Sequence, residues 1–270
     1  MPELPEAETI ARDLDGVLRG AVVRSVRVTR ADVLRGITGP ALGRALRGAR
    51  ITRVHRRAKS VVIDLEPAQH LVVTPRFTGA LLLDRPPEDY TCVTFALADG
   101  RVLRYRDIRR LGMLALLGDA AYDAWSAALG PEPLDPALTP ERFSGILRGS
   151  TRAVKSILMD QRKLAGVGNI YANEACWRAA VRPARRGKSL ARRETDALLV
   201  AVRGVLEESI ARRGTTFRDY LDARGGKGDN AKHLTVYGRA GEPCLRCRKP
   251  LRGSHAIDRR ATVWCQTCQR

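Results

Sequence analysis

The first twenty residues carry apolar side chains at the spacing of an α-helix. In "PEAETIARDLDGVLRG" the apolar positions that share one helical face are Ile10, Leu14, Val17 and Leu18. Residues three and four apart lie one above the other on a helix, so this face is predicted to pack against a core. Pro5 and Gly20 stand where a first turn tolerates proline and where a last turn commonly gives way to glycine. The chain is therefore predicted to begin with one amphipathic helix.

From there to about residue 118 the pattern changes to short β-rich runs, several of which alternate apolar and polar residues. The runs are "AVVRSVRVTR", "ARITRVHRRAKSVVIDLE", "HLVVTPRFTGALLLD", "YTCVTFALADGRVLRYRD" and "LGMLALLG". Such alternation is typical of antiparallel strands with one buried face. The "ADG" at 98–100 indicates a hairpin turn. Together the runs predict a β-sandwich or flattened barrel behind a single N-terminal helix.

A proline-rich segment then divides the chain. "GPEPLDPALTP" holds four prolines in eleven residues, which indicates a linker. Helical patterns follow it, the glycine-rich "DARGGKGDNAK" predicts a mobile loop, and short strands are expected around the cysteine pairs of the tail. We expect an α+β protein of two domains: an N-terminal β-sandwich over 1–129, a linker over 130–140, a helical domain over 141–235 and a terminal zinc finger over 236–270.

Charge narrows the choice of partner. The 270 residues include 48 Lys and Arg against 29 Asp and Glu, a net charge of +19 that is too lopsided for a typical metabolic enzyme. A field of that sign attracts polyanions, and nucleic acid is the first candidate. Only seven of the basic residues are lysines, and arginine binds phosphate through a planar fork and stacks on bases. Biased codon usage is an alternative reason for arginine over lysine, but it does not explain the net charge.

Membrane and secretory roles are not indicated. No apolar run reaches 18 residues, and the N-terminus lacks a basic segment followed by an apolar one. We therefore expect no membrane partner and a cytoplasmic protein.

The cysteines form a metal-binding pattern in a reducing compartment. Four of the six lie in two C-x-x-C pairs separated by seventeen residues, Cys244, Cys247, Cys265 and Cys268. This spacing predicts one structural Zn²⁺ held by four thiolates, with no open position for a substrate. His255 lies between the pairs and is expected at the surface. The surrounding basic residues are consistent with a hairpin that contacts DNA and with a solvated basic face, and both interpretations can hold together: Arg246, Arg248, Lys249, Arg252, Arg259 and Arg260.

The opening "MPELPEAE" allows two interpretations. Removal of Met1, which small residues at position two normally permit, would make Pro2 a secondary amine and a potential nucleophile, with Glu3 and Glu6 near enough to manage protons. An ordinary acidic helix start preceded by prolines is the simpler alternative. A second unusual stretch is "KLAGVGNIYANEA", in which Gly166 and Gly168 predict a tight turn into a helix near Asn169. The amides that begin such a helix can bind phosphate, although the same pattern occurs in plain turns.

At this point the chain resembles bacterial formamidopyrimidine-DNA glycosylases over its whole length. The motifs that carry the resemblance occur in the family's order: "PELPEAE", "RRAKS", "DIRRLG", "LAGVGNIYANE", "VYGRAGEPC" and the terminal cysteine pairs. The resemblance implies a helix-two-turns-helix DNA-binding domain and a bifunctional base-excision enzyme that acts on damaged double-stranded DNA. It also implies a monomer associated with the bacterial nucleoid. "PELPE" is similar to the formamidopyrimidine branch rather than the endonuclease VIII branch, which typically has Gly in place of Leu4.

The resemblance also implies roles for individual residues. Pro2 would attack the sugar C1′ and expel an oxidised purine through a Schiff base, and β,δ-elimination would then cleave the strand. Glu3 would assist ring opening and proton transfer, Glu6 would support the site electrostatically, and Lys59 would contact the lesion and the adjacent phosphate. The residues expected at the DNA are Phe77, Arg109, Arg110, Leu111, Lys155, Asn169, Tyr171 and Arg260, with Asn169 and Arg260 holding the phosphates beside the flipped nucleotide.

One segment departs from the family pattern. The family usually has "HLGMSG" where this chain has "TPRFTG", which puts Thr74 in place of a phosphate-binding His and Phe77 in place of a wedge Met. The family's second wedge, a Phe after the paired arginines, is Leu111. Either the aromatic and the flexible wedge have exchanged loops or two independent changes are tolerated. Arg76 stands where the family has Gly and is a candidate to replace the lost His contact.

Three functions are open at this point. The first is a glycosylase/lyase for 8-oxoguanine and formamidopyrimidines. The second is a damaged-DNA-binding protein with reduced catalysis, against which Pro2, Glu3 and Lys59 argue. The third is a paralogue for oxidised pyrimidines or abasic sites, against which "PELPE" and the long glycine-rich loop argue.

Overall fold

A computed structural model describes residues 2–217 and 219–270, so Met1 lies outside the described part of the chain. The chain forms two compact units. The first contains the residues up to Ala128 together with Ser209–Ala231, and the second contains Leu129–Glu208 together with Lys232–Arg270. No helix in the described ranges is both long and apolar enough to cross a membrane.

The first unit contains the predicted strands and three helices. In chain order the elements are α1 (Leu4–Leu18), β1 (Val23–Val28), β2 (Leu34–Arg35), α2 (Gly39–Leu46), β3 (Arg50–Arg57), β4 (Ser60–Glu66), β5 (Gln69–Thr74), β6 (Gly79–Leu83), β7 (Thr91–Leu97), β8 (Val102–Asp107), β9 (Met113–Gly118) and α3 (Asp119–Ala127).

Two sheets form the predicted sandwich. One has the strand order β1-β7-β8-β6 and is antiparallel; the other has the order β2-β9-β5-β4-β3, in which only the short β2 pairs in parallel with its neighbour. The turn between β7 and β8 bends at Gly100, whose φ of +92° is accessible to glycine at little cost, so the predicted hairpin is confirmed. Apolar residues from both sheets and from α1 form one continuous core.

The helix predicted at the N-terminus is confirmed with one change. Ile10, Leu14 and Leu18 are fully buried, but Val17 is 40% exposed and lies at the edge of the apolar face. The prediction of a single helix in this unit is wrong, because α2 and α3 are also present. The sequence did not predict α2, because "GPALGRAL" contains glycines and a proline, which disfavour a helix. The N-terminus of α2 is nevertheless capped by Thr38, whose hydroxyl accepts a hydrogen bond from the Ala41 amide.

The third helix, α3, contributes no buried residue and is attached through polar and ring contacts instead. The His70 Nε2 lies 3.1 Å from Asp119 Oδ1, and the Tyr122 ring stacks on the His70 ring with centroids 4.1 Å apart. These contacts connect α3 to β5, which no apolar periodicity could have revealed.

The second unit is helical and ends in a small hairpin. Its elements are α4 (Pro140–Arg148), α5 (Val154–Met159), α6 (Asn169–Arg178), α7 (Arg192–Ala211, whose last three residues belong to the first unit), β10 (Arg252–Ser254) and β11 (Thr262–Trp264). The proline-rich segment is irregular, as expected, but it packs on this unit: the Gly130 amide donates to Gln161 O at 2.8 Å and Arg203 donates to Pro133 O at 2.9 Å.

The division of the chain differs from the predicted one over Ser209–Ala231, which was placed in the helical domain and belongs to the first unit. Tyr220 and Ala223 are buried in the core of the sandwich, and the Leu83 amide donates to Ala223 O at 2.9 Å. A chain that returns to an earlier unit leaves no break in composition, so the boundary could not be read from the sequence.

Candidate active site and nucleic-acid interface

Pro2 and the acidic residue that follows it, Glu3, are both buried. Glu3 is 1% exposed, and its amide donates to Glu6 Oε2 at 2.7 Å. This is one half of a capping box, in which a carboxylate in the first turn satisfies an amide that the helix itself leaves unpaired. The positive end of a helix also stabilises nearby negative charge. The start of α1 therefore holds Pro2 and Glu3 in a defined, water-poor position.

Glu6 has a structural task in addition to the electrostatic one expected of it. Its second oxygen, Oε1, accepts a hydrogen bond from the Thr215 amide at 2.7 Å. The preceding Gly214 has a φ of +85°, and a Cβ there would approach the Glu6 Cγ to 3.0 Å. Glu6 therefore connects α1 to the segment that returns to the first unit.

Lys59 lies in the tight turn between β3 and β4. The preceding Ala58 has a φ of +53°. The side chain of Arg56 connects this turn to α1. The Arg56 guanidinium donates to Glu8 Oε2 on α1 at 2.8 Å and to Ala58 O at 3.0 Å. One side chain thus connects the Lys59 turn to α1, the helix that directly follows Pro2 and Glu3. Lys59 itself is half-buried.

The segment that departs from the family pattern also contacts this hairpin. The Thr74 hydroxyl lies 2.7 Å from the hydroxyl of Ser60, the residue after Lys59. Arg76 has a left-handed φ of +50°, a conformation that favours the glycine found there in the family. Its guanidinium reaches Met113 Sδ at 3.9 Å.

The two wedge candidates, Phe77 and Leu111, differ in their exposure to solvent. Phe77 is 38% exposed, and the Arg109 Cζ lies 5.1 Å from the centre of its ring. Leu111 is half-buried. Arg110 is exposed and forms an ion pair with Asp32 at 3.0 Å.

In the second unit, one asparagine connects Asn169 to the strand that follows Arg260. Asn169 is the first residue of α6, directly after the glycine turn. One helical turn later, the Asn173 side chain donates to Asn169 O at 2.6 Å and accepts from the Val263 amide at 2.8 Å. Val263 lies on the strand that follows the exposed Arg260. Asn173 was not singled out from the sequence, although its place four residues after Asn169 is a usable signal.

Two residues expected at the DNA are buried instead. Tyr171 is 1% exposed and Lys155 is fully buried. The Lys155 ammonium donates to Ala261 O at 2.8 Å and to Thr262 Oγ1 at 2.7 Å, so it supports the loop next to Arg260 rather than presenting charge to solvent. The sequence shows that Lys155 is basic, but it does not show that a segment far along the chain covers this face of α5.

The four predicted cysteine ligands are brought together. Their sulfur atoms all lie within 4.8 Å of one another, with 3.4 Å between Cys247 and Cys265 and 4.0 Å between Cys244 and Cys268. None forms a disulfide. Zn–S bonds of about 2.3 Å in a tetrahedron place sulfurs about 3.8 Å apart, so the cluster fits one closed zinc site.

The basic residues around the zinc cluster do not all face solvent. Arg246 donates to Trp177 O at 2.8 Å and to Arg178 O at 2.9 Å, and its guanidinium lies 4.0 Å from the Trp177 ring centre. It therefore attaches the first cysteine pair to α6. By contrast, Arg259 and Arg260 are exposed in the turn between β10 and β11.

Metal removal should act on this finger alone. Cys244→Ser or a chelator is expected to unfold the β10–β11 hairpin and weaken DNA binding, because four thiolates without their ion repel and leave a small core unsupported. The first unit should stay folded. Metal analysis should give about one zinc per chain, and Cys176→Ala, a buried thiol outside the cluster, should retain it. Chain purified without chelator and free of metal would contradict the assignment.

The glycine-rich stretch predicted to be mobile is folded around one carboxylate. Asp222 Oδ1 accepts from the Gly226 amide at 2.7 Å, and Oδ2 accepts from Arg213 at 2.6 Å. The same Arg213 group donates to Asp13 on α1 at 2.6 Å. Burial acts to raise the pKa of Asp222, but the bonds from Arg213 and Gly226 outweigh it and hold the pKa below its ordinary value. Asp222 and Arg213 were missed because neither belongs to a recognisable motif.

Asp222→Asn should destabilise the first unit at neutral pH by about 2 kcal/mol, because it removes a charged partner of Arg213. A carboxylate whose pKa is lower in the folded state stabilises above its unfolded pKa of about 4, and that stabilisation disappears as the pH falls through the folded value. Urea unfolding should therefore show a deficit near neutral pH that shrinks near about pH 3. The exposed Asp99, which pairs with Arg101, gives a control in Asp99→Asn with little change. An equal deficit at both pH values would contradict this account.

Models of one protein family match both halves of the chain. The formamidopyrimidine-DNA glycosylase N-terminal domain matches residues 1–114, and the formamidopyrimidine-DNA glycosylase H2TH domain matches residues 129–220. The fold and the matches together define a DNA repair enzyme, a DNA glycosylase with a four-cysteine finger. The chain belongs to the formamidopyrimidine-DNA glycosylase family.

Relatives match along nearly the whole chain. The formamidopyrimidine-DNA glycosylase of Moorella thermoacetica is 43% identical over 256 residues, which cover 93% of each protein. The MutM (Fpg) protein from Thermus thermophilus superimposes with a TM-score of 0.89 at 36% identity, covering 99% of this chain and 98% of that one. The Lactococcus lactis Fpg in complex with DNA that contains an abasic site gives a TM-score of 0.91 at 29% identity over 99% of both chains.

Proposed function

We propose that this protein is a bifunctional DNA glycosylase and abasic-site lyase that excises 8-oxoguanine and formamidopyrimidines from double-stranded DNA, acting as a monomer on the bacterial chromosome. The observation that carries the proposal is the buried pair Pro2 and Glu3 at the start of α1. A solved relative from Lactococcus lactis holds a Fapy-dG containing DNA, which supports the class of substrate.

The chemistry begins once Met1 has been removed. The Pro2 nitrogen attacks C1′ of the damaged nucleotide and forms a C–N bond, while the bond from C1′ to the base breaks and the base leaves with a proton. The Glu3 carboxyl protonates the sugar ring oxygen, which opens the ring and leaves an iminium on Pro2. Burial away from water keeps the amine and the acid from exchanging protons freely with solvent.

The iminium then makes strand cleavage possible. It acidifies the sugar proton at C2′, whose loss expels the 3′ phosphate, and a second elimination expels the 5′ phosphate. Glu3 is the group placed to move these protons. Hydrolysis finally releases the sugar fragment and regenerates the Pro2 amine. The protein's part is to hold one amine and one carboxyl at the same carbon through all of these steps.

Each unit supplies cations and amides for the DNA backbone. In the first unit Lys59 stands on a turn braced by Arg56 and is proposed to contact the lesion and its phosphate. In the second unit Asn169, at the start of α6, and Arg260, in the finger, are proposed to bind the flanking phosphates. The amides at the start of a helix suit an anion, and arginine forms paired bonds to phosphate.

Zn²⁺ is proposed to be structural. The ligands would be Cys244, Cys247, Cys265 and Cys268, which leave no open coordination position, so the ion supplies rigidity rather than a reactive water. Lys155 and Asn173 then hold the finger against α5 and α6 through the residues that follow Arg260.

The proposed wedge is the Phe77 ring with Arg109 beside it. A flipped nucleotide leaves a gap that must be filled, and an apolar side chain between base steps fills it. Because Leu111 is shorter than the family's Phe at that place, we propose that Phe77 does most of this work.

A product assay tests the proposed reaction. On a duplex with one 8-oxoguanine, the expected products are the free oxidised base and two strands that each end in phosphate at the gap. A parallel duplex with thymine glycol should be a poor substrate. Faster release of the pyrimidine would instead favour a paralogue for oxidised pyrimidines. Binding without release of either base would favour a damaged-DNA-binding protein with reduced catalysis.

A further inference from the structure

Two loops of the first unit cross between its sheets. Residues 75–78 leave β5 of the five-stranded sheet and enter β6 of the four-stranded sheet. Residues 108–112 leave β8 of the four-stranded sheet and enter β9 of the five-stranded sheet. The first carries Phe77 and the second carries Arg109, and we call the two segments the wedge loops.

Strand pairing puts the bases of the wedge loops side by side. Thr74, the last residue before the first loop, pairs with Met113, the first residue after the second. On the other sheet Gly79, the first residue after the first loop, pairs with Asp107, the last residue before the second. Both loops therefore leave the sandwich at the same end, through neighbouring strands on each sheet.

A single buried carboxylate joins the two bases. Asp107 is 1% exposed; its Oδ1 accepts from Thr78 Oγ1 at 2.5 Å, and its Oδ2 accepts from the Gly112 amide at 2.7 Å and from Tyr105 Oη at 3.1 Å. The Thr78 hydroxyl in turn accepts from the Arg109 amide at 2.9 Å. Asp107 and Thr78 therefore connect both ends of the second loop to the end of the first.

The surroundings of this network admit no larger side chains. A Cβ on Gly112 would lie 1.9 Å from Tyr105 Oη, and one on Gly79 would lie 2.6 Å from the same atom. Burial and the neighbouring Asp107 charge both raise the pKa of Tyr105, so its hydroxyl stays protonated and donates. Both glycines and the tyrosine are thus fitted around the carboxylate, and the loops cannot shift apart without breaking buried hydrogen bonds.

The tips of the loops lack a comparable connection. Phe77 and Arg109 meet there in an exposed cation–π contact, which is too weak to hold two loops in register. We propose that Asp107, acting through Thr78, is a positioning residue that couples the two wedge loops, so that Phe77 and Arg109 enter the duplex as one unit. The inference rests on the proposed role of Phe77 as the wedge.

A double-mutant cycle tests the coupling, with Thr78→Val and Phe77→Ala as the single changes. Single-turnover excision from an intact 8-oxoguanine duplex is compared with cleavage at a preformed abasic site. Thr78→Val should slow duplex excision by about tenfold, because it removes the hydroxyl that bridges the loops. Abasic cleavage should change by less than about threefold, and Thr78→Ser should restore excision. The control Thr38→Val removes a capping hydroxyl from α2, far from either loop in sequence, and should leave both reactions unchanged.

The excision rate of the double variant distinguishes coupled from independent effects. Coupling predicts that Phe77→Ala combined with Thr78→Val is no slower than Phe77→Ala alone, because a loop without its wedge gains nothing from correct placement. Rates that multiply, or a Thr78→Val variant as fast as the parent, would overturn the inference while leaving the wedge intact. If Phe77→Ala alone is as fast as the parent, the proposed wedge itself is wrong. Should Thr78→Val fail to fold, Thr78→Ala removes the same hydroxyl and gives the same comparison.

Discussion

We expect a Glu3→Gln variant to lose base excision from duplex DNA by about a thousandfold or more, the scale of a lost general acid at a reacting centre. It should still cleave a preformed abasic site in part. The amide keeps the size of the carboxyl and can donate a hydrogen bond, but it cannot pass a proton to the sugar ring oxygen. At an abasic site the base is already gone, so the Pro2 amine needs less help from Glu3. Single-turnover assays on the two substrates measure both effects.

Two further variants, one at Pro2 and one control at an exposed carboxylate, help to interpret this result. Pro2→Gly keeps an amine at the N-terminus and should retain some lyase activity, although the flexible glycine holds it less well. Glu207→Gln changes an exposed carboxylate on α7 and should leave both reactions as they were. Base release by Glu3→Gln at the parent rate would refute the role given to Glu3.

The second large effect is expected at Phe77. Phe77→Ala should slow excision from intact duplex by about tenfold to a hundredfold, because stacking of a base on an aromatic ring is worth about 1–3 kcal/mol. Cleavage at a preformed abasic site should change far less, since no base has to leave the stack. Leu111→Ala should be the milder change, because its half-buried side chain contributes shape rather than stacking.

The exchange of wedges is tested by comparing the Phe77→Ala and Leu111→Ala variants. Val200 is the most exposed large apolar side chain described and lies on α7, so Val200→Ala controls for the loss of apolar surface. Phe77 is itself 38% exposed, and its replacement should leave the thermal unfolding midpoint nearly unchanged. If Leu111→Ala is the more damaging, or Phe77→Ala slows both reactions equally, the wedges have not exchanged.

The sequence predicted those parts of the fold that depend on local pattern. The period of α1, the alternation in the strands and the cysteine spacing each follow from neighbours within a few residues. The assignment of Ser209–Ala231 to the first unit does not, because it depends on Tyr220 and Ala223 reaching a core whose other residues lie between Ala7 and Leu114. The helix α2 was missed because glycine and proline outweighed its cap and its two buried leucines, Leu42 and Leu46.

The candidate site shows the same division. Motifs singled out Pro2, Glu3, Lys59 and the cysteines, because their residue types suit the proposed chemistry and metal binding. The residues that place them were not found: Arg56 braces the Lys59 turn, Asn173 links Asn169 to the finger, and Asp222 folds the glycine-rich loop. Lys155 shows the converse, since this charged side chain was expected at the DNA but is buried and donates to Thr262, far along the chain.

The measurement that tests the central claim most directly is borohydride trapping on an 8-oxoguanine duplex, followed by mass spectrometry of the N-terminal peptide. Borohydride reduces an iminium to a stable amine, so the enzyme becomes covalently joined to the DNA during turnover. The account predicts a chain that begins at Pro2 and an adduct on the Pro2 nitrogen, with no trapping when Met1 is retained. An adduct on Lys59, or excision that proceeds with no trapped species at all, would contradict it.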